Sequence, residues 1–588
     1  MTKTTTARKR SAQLGLLALP AILTLTTLGA APAADAGPPG GDSAPGGPGG
    51  QRPNIVYVLA DDFGWTNLST GLTNGGNAND YYETPALERI AQEGVAFDNA
   101  YTAVNCTPTR NALLTGLHAP RPQNNVYLVG NLNRGGDDTL LYGPPQGRED
   151  GSNALDPAAV TVGERLQGAG YRTGYIGKFH VTRSGADVTS LHGFDENLGG
   201  TGAGAPGAYH AADGEFVQNV GPELDAYAAD YTREYVDENI RPYSQGVDPA
   251  DLDALVGTDK HVSDALADAT IDFIDRAGED GGDPFFAFLS TYAVHTPVGD
   301  RQARADLLAK YRAKEPGTGP SVPAYGALTE GLDQSVARVV DHLETTPDPD
   351  NPGHPLADNT VLVFLGDNGG VERFTDNGPL RGSKGELREG GIRVPLIAWS
   401  ANPELVDGGR VDHTPVYATD HHATIASLAG ARIPRHQPLD GLDLSGLFKD
   451  PGARLHRDAL YWHLPGYLID EHRDQRPQSV IRSGRWKLTY SYEDRSWELY
   501  DLQKDIGEAH DLAAERPELA GRLGRDLIRW LDDLDAPLAT LREGRDPLEF
   551  TVSGTAYADG EVTRHRGETL VVRPGEEVPL VLPSADRP

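Results

Sequence analysis

A three-layer α/β fold, with a mostly parallel sheet covered on both faces, is what this sequence predicts. Three observations carry that reading: continuous apolar runs of strand type, helical patterns between them, and acidic residues where the runs end. Runs apolar on both faces suit central strands of a covered sheet rather than strands with one wet face.

The first run is Asn54–Ala60, and it stops at Asp61-Asp62. Similar runs recur at Phe285–Ser290, Thr360–Leu365 and Val394–Trp399. Between them, Thr84-Pro85 opens a short helix that Gly94 ends. Val262, Leu266, Phe273 and Ile274 share one helical face, and Leu328, Leu332, Val336, Val339 and Leu343 share another. The Gly/Asp/Tyr-rich stretch Gly199–Asp259 reads as an insertion over the sheet rim, where substrate loops usually lie. From about residue 455 the pattern changes. Val480–Tyr490 reads as a hairpin around Ser483-Gly484, Trp497–Leu502 as a further strand, and Leu519, Leu523, Leu527, Trp530, Leu531 and Leu534 as an amphipathic helix. The organisation expected is an export signal at 1–36, a Gly/Pro linker at 37–52, a main domain at 53–450, a small α+β unit at 451–545 and an extension at 546–588. Val-rich segments in that extension either add strands or trail.

Bulk composition narrows the function classes. Hydrophobic residues at 38% and charged residues at 23% predict a packed body across 588 residues. A formal net charge of −33 argues against general nucleic-acid binding, so no nucleic acid is expected as a partner. It also means that an anionic substrate must be held by local Lys and Arg. The basic start Lys3, Arg8, Lys9 and Arg10 precedes the apolar stretch Leu14–Leu28, which is too short and Thr-rich for a spanning helix. Ala31-Pro32-Ala33 and Ala34-Asp35-Ala36 both fit cleavage, so a secreted protein, extracellular or periplasmic and without stable membrane insertion, is expected.

The single cysteine, Cys106, excludes an intrachain disulfide and a Cys-based structural zinc site. A lone thiol is either inert and buried or reactive. Two strand ends offer oxygen: Asp61-Asp62, and Asp367-Asn368 within Gly366–Gly370. Together they would suit a hard cation that takes carboxylate and amide oxygens. Taken singly, each pair is ordinary turn chemistry.

Cys106 lies in Cys106-Thr107-Pro108-Thr109-Arg110, followed by Leu114-Thr115-Gly116. This resembles the signature of the type I sulfatases. Gly170–His180, with Gly177-Lys178-Phe179-His180, resembles that family's second signature, and Gly382–Pro395, with Lys384, resembles a third segment. His295, in Thr291–Val298, is a looser match, because Val294 stands where the family commonly has Pro. The resemblance implies the alkaline-phosphatase-like three-layer sandwich with a smaller C-terminal subdomain. It implies Cys106 oxidised to Cα-formylglycine by a formylglycine-generating enzyme, and Ca²⁺, with Mg²⁺ second, on Asp61, Asp62, Asp367, Asn368 and residue 106.

It further implies that Arg110 holds the nucleophile, Lys178 and Lys384 bind sulfate, His180 serves as base and His295 protonates the leaving oxygen. Strand alternation is expected to put Lys178 and His180 on one face. Glu389 and Arg393 are expected to brace the Lys384 loop. The expected reaction is hydrolysis of sulfate esters of a small molecule or glycan. The alternatives are a phosphodiesterase or phosphonate monoester hydrolase on the same scaffold, and a non-catalytic carbohydrate binder.

Overall fold

The computed structural model describes residues 52–130, 134–147, 153–279, 282–470 and 473–582. The expected export signal and nearly all of the linker lie outside the described residues. Among the described residues, no helix is long and apolar enough to cross a membrane.

The main sheet has nine strands: β1 (Asn54–Ala60), β2 (Val95–Tyr101), β3 (Arg172–Gly177), β4 (Glu196–Leu198), β5 (Phe285–Ser290), β6 (Thr360–Gly366), β7 (Arg393–Trp399), β8 (Arg410–Asp412) and β9 (Val416–Tyr417). Their order is β9-β2-β7-β6-β1-β5-β3-β4, and β8 also pairs with β2. All neighbours are parallel except those of β7, which runs antiparallel to both β2 and β6. The apolar run at 394–399 therefore gave the strand but not its direction. Burial on both faces produces the same run either way.

Alternation along β1 sends Val56, Val58 and Ala60 into one core layer and Ile55, Tyr57 and Leu59 into the other. Helices Val262–Glu279 and Pro323–Thr345 cover the first face. Helices Val162–Gly168 and Asp420–Leu428 cover the second. The fold is thus the three-layer α/β sandwich, with helices on both faces of a mostly parallel sheet.

Register does the work of assembling the strand ends. Ala60 pairs with Gly366, Leu59 with Ser290, and Ser290 with Gly177. The residues that follow β1, β6 and β3 (Asp61, Asp367 and Lys178) therefore emerge side by side at the carboxyl edge, the place where open α/β sheets bind ligands.

The Gly199–Asp259 segment lies on the rim only in part. Most of it packs on helix Val262–Glu279, where Tyr227 and Tyr235 donate to Asp272 and Asp268 at 2.6 and 2.8 Å and Tyr231 donates to Asp264. Beyond residue 455, an antiparallel sheet (Leu460–Leu464, Gln478–Ser483, Trp486–Ser491, Ser496–Asp501) packs on helix Pro517–Asp533. Gly484, at φ 56°, takes the left-handed turn between the second and third strands of that sheet. The extension adds strands Leu548–Ala558, Glu561–Val572 and Leu580–Val581.

Candidate active site

Cys106 is the first residue of helix Cys106–Thr115, and all ten residues of that helix are buried. Asn105 caps the helix: its backbone is extended and its side chain accepts from the Thr107 amide at 3.4 Å. Gly116, in the left-handed region, closes the other end. Arg110 follows Cys106 by four residues, so both point the same way. Burial pushes the Cys106 thiol above its ordinary pKa.

Arg110 is 1% exposed, and each of its three nitrogens is hydrogen-bonded. Nε and Nη2 meet Asp367 Oδ2 at 3.2 and 3.0 Å, and Nη1 meets the Lys178 carbonyl at 2.7 Å and Ser290 Oγ at 2.6 Å. Its guanidinium therefore braces Asp367 and the β3 and β5 ends. Ser290 is a part that sequence reasoning missed. A serine at a strand end carries no signal of its own, and only the pairing with Gly177 reveals it.

Lys178 Nζ lies 2.7 Å from Asp61 Oδ2, and Lys384 Nζ lies 2.5 Å from Asp62 Oδ1. The two lysines therefore rest on carboxylates. The Asp62 amide donates to Asp367 Oδ1 at 3.0 Å, and Asn368 Nδ2 donates to Asp62 Oδ1 at 3.0 Å. His295 Nε2 stands 3.8 Å from Asp62 Oδ2, while its Nδ1 lies 2.8 Å from the Thr296 carbonyl. That carbonyl can only accept, so it fixes the proton on Nδ1. The alternation argument for Lys178 and His180 does not hold. β3 ends at Gly177, and His180 has φ 67°. Irregular backbone with a left-handed step at His180, not a pleat, aims these two residues.

The electrostatics follow from burial and charge. Burial and Asp61 push the Asp367 carboxyl up to about 7. Burial works against ionisation of Asp62, but Lys384, His295 and Lys178 together hold its carboxyl well below the usual range. Burial and Lys384 push His295 down to about 3. Burial, Lys178 and Arg110 push His180 well below its ordinary value. Both imidazoles are therefore neutral near pH 7.

Ligand atoms of Asp61, Cys106 and Asp367 lie within 4.8 Å of one another, as do those of Asp61, Asp62 and His295. Asp61 Oδ1 and Asn368 Oδ1 are buried without a hydrogen-bond partner. Such orphaned oxygens suit a hard cation. Glu389 and Arg393 lie beyond the Lys384 loop and tie the segment to β2 and to the C-terminal sheet. Buried Glu389 accepts from Tyr101 Oη at 2.6 Å and from Lys487 Nζ at 3.0 Å, and Arg393 contacts it at 3.5 Å.

The sulfatase family profile matches residues 53–431, and a second profile, N-sulphoglucosamine sulphohydrolase, C-terminal, matches residues 384–531. The chain belongs to the type I sulfatase family. The enzyme is accordingly a sulfuric ester hydrolase with the alkaline-phosphatase-like fold. It is 38% identical over 514 residues to a sulfatase of Formosa agariphila, spanning 83% of this chain and 90% of that one. It is 30% identical over 400 residues to the N-acetylgalactosamine-6-sulfatase of Sus scrofa, covering 67% of this chain and 65% of the relative. Among solved structures, Ps i-CgsB in complex with k-i-k-neocarrahexaose aligns with a TM-score of 0.57 and 25% identity, over 82% of this sulfatase and 93% of that chain.

Proposed function

We propose that this sulfatase is exported and removes sulfate from sulfated carbohydrates, using Cys106 oxidised to Cα-formylglycine and a divalent cation. The observation that carries this reading is the meeting within 4.8 Å of ligand atoms of Asp61 and Asp367, at the carboxyl ends of the adjacent strands β1 and β6, with that of Cys106, at the start of its helix. Asp61, Asp62, Asp367 and Asn368 would hold the cation. Their all-oxygen donor set suits Ca²⁺, with Mg²⁺ second.

When bound, the cation supplies positive charge to the sulfate oxygens. The matured residue 106 supplies a hydrated aldehyde, whose diol attacks sulfur and whose second hydroxyl later expels sulfate.

By formal charge the cluster alone offers an anionic ester no net attraction. Asp61, Asp62 and Asp367 offset Arg110, Lys178 and Lys384, three against three, when Asp367 is ionised. A divalent ion then leaves the pocket with two positive charges inside a protein of net charge −33. Lys178 and Lys384 hold the sulfate as ammonium groups. Asp367 takes the proton of the attacking hydroxyl. Arg110 keeps that carboxylate aimed. His295 carries its free lone pair on Nε2. When the anionic ester arrives, Nε2 takes up a proton from solvent and passes that proton to the leaving oxygen. Neutral His180 takes the hydroxyl proton as sulfate departs.

The carbohydrate class is supported by the k-i-k-neocarrahexaose complex of Ps i-CgsB and by the N-acetylgalactosamine-6-sulfatase relatives. Export follows from the basic and apolar leader. The division at 53–450, 451–545 and 546–588 is kept as the domain proposal. The test is a panel of defined sulfated sugars and matched phosphate esters, with free sulfate and phosphate quantified. Higher kcat/KM on sulfated sugars supports the reading, and a preference for phosphate esters overturns it.

A further inference from the structure

The two histidines that move protons in this reading leave different strands, β3 and β5, yet both touch one stretch of chain at the start of the insertion. The His180 amide donates to the Thr201 carbonyl at 2.9 Å. Gly204 lies against the imidazole itself: a Cβ there would sit 2.6 Å from His180 Nε2. Gly204 is not among the positive-φ residues, so space rather than backbone freedom requires a glycine.

Five residues on, buried Tyr209 directs its hydroxyl at the carbonyls of Tyr292 and His295, each at 2.7 Å. Tyr209 is itself held on three sides. Its ring stacks on His261 at 5.4 Å, its amide donates to Gln302 Oε1 at 3.0 Å, and its carbonyl accepts from the Val262 amide at 2.7 Å. Tyr292 Oη returns a hydrogen bond to the Gly199 carbonyl at 3.1 Å.

We propose that residues 199–209 form a positioning bracket for the two proton-transferring histidines, in which Tyr209 sets His295 and Gly204 sets His180. The proposal rests on the roles assigned above. It makes Tyr209 and Gly204 positioning residues, since neither reaches the reacting atoms. A hydroxyl has one proton, so Tyr209 serves the Tyr292 and His295 carbonyls in alternation. Both carbonyls are thereby fixed to the helix Val262–Glu279 through Tyr209. A small displacement of a general acid is costly, because proton transfer needs hydrogen-bond reach.

The experiment uses matured full-length enzyme and a series of sulfate esters, from nitrophenyl sulfate to an alkyl-type sugar sulfate. His295→Ala provides the reference, and there the loss should grow as the leaving group worsens. Tyr209→Phe should reproduce that graded loss at smaller size: kcat down about tenfold on the sugar sulfate, within about threefold on nitrophenyl sulfate, and KM little changed. Gly204→Ala, an independent variant, should instead slow the later step, giving a burst of released alcohol, a kcat that no longer varies with the leaving group, and an unaltered leaving-group dependence of kcat/KM.

If His295→Ala is graded but Tyr209→Phe loses activity equally on all esters, or loses none, the His295 half of the bracket is wrong and the functional reading stands. If His295→Ala itself is ungraded, the assigned role of His295 fails and takes this half of the proposal with it. Gly204→Ala with unchanged kcat and no burst overturns the His180 half.

Discussion

Replacing Arg110 with Met tests whether the strand-end cluster is held by charge or only by packing. Met keeps much of the side-chain volume and removes every donor. The Lys178 carbonyl still accepts from Ser290 Oγ at 2.7 Å and from Tyr175 Oη at 2.8 Å, so the loss falls mainly on Asp367. That carboxylate is fully buried beside Asp61, with its Oδ2 contacted by both Arg110 Nε and Nη2. Well above pH 7, where the Asp367 carboxyl is ionised beside Arg110, breaking one side of such a pair costs about 3–5 kcal/mol, because the buried carboxylate must stay charged without its partner or take up a proton. With a urea slope of about 3 kcal/mol per molar, the midpoint should fall by about 1–1.7 M. Adding Asp367→Asn removes the stranded charge, so the double variant should recover about 2 kcal/mol relative to the sum of the singles. Urea unfolding in chelator at fixed pH, followed by tryptophan fluorescence, measures all four corners of the cycle. Additive effects, or an Arg110→Met loss under about 1 kcal/mol, would refute the electrostatic argument.

Other outcomes follow from the same structure. Asp61→Asn removes one anionic oxygen of the proposed cation site, so the Ca²⁺ needed for half-maximal activity after chelation should rise about tenfold or more; an unchanged requirement counts against that ligand. Lys487 lies 3.0 Å from both Glu389 and Glu508 and is fully buried. Lys487→Met should therefore lower stability by about 3–5 kcal/mol in denaturant titration. His422 donates from Nδ1 to the Leu114 carbonyl and accepts from Arg165 at Nε2, and burial pushes it down to about 3. A depressed histidine binds its proton more readily when unfolded, so its stabilisation is full above pH 6.5 and fades as pH falls toward 3. Between pH 7 and 5 that amounts to about 2 kcal/mol, and His422→Gln should flatten the acid slope of stability by about this much.

How far the sequence could be read depended on whether a signal was local. β1, β5 and β6 announced themselves because double-faced burial leaves unbroken apolar runs. The direction of β7 could not be read, since strand polarity is set by connections far along the chain. Asp61, Asp62, Cys106, Asp367 and Asn368 were legible as strand ends and a short motif, and the register of β1, β5, β3 and β6 brings their neighbourhoods together. Lys178 and His180 were found, but by the wrong geometry, because the left-handed backbone at His180 cannot be foreseen from alternation. Ser290, Tyr209 and Gly204 carry no motif, and they matter only through partners distant in sequence.

The insertion did hold a readable pattern that weak apolar periodicity hid. Tyr227, Tyr231 and Tyr235 recur every four residues, as do Asp264, Asp268 and Asp272, and the hydroxyls pair with those carboxylates. A ladder of polar contacts, not an apolar stripe, lays this segment on its helix.

The central claim concerns the side chain at position 106. Tryptic digestion of fully active enzyme yields the peptide Ile90–Arg110, and mass spectrometry reads the oxidation state of that residue directly. The account predicts the aldehyde or its hydrate there, with Cys106→Ala folded but unable to release sulfate. An unmodified thiol in a fully active preparation would contradict it.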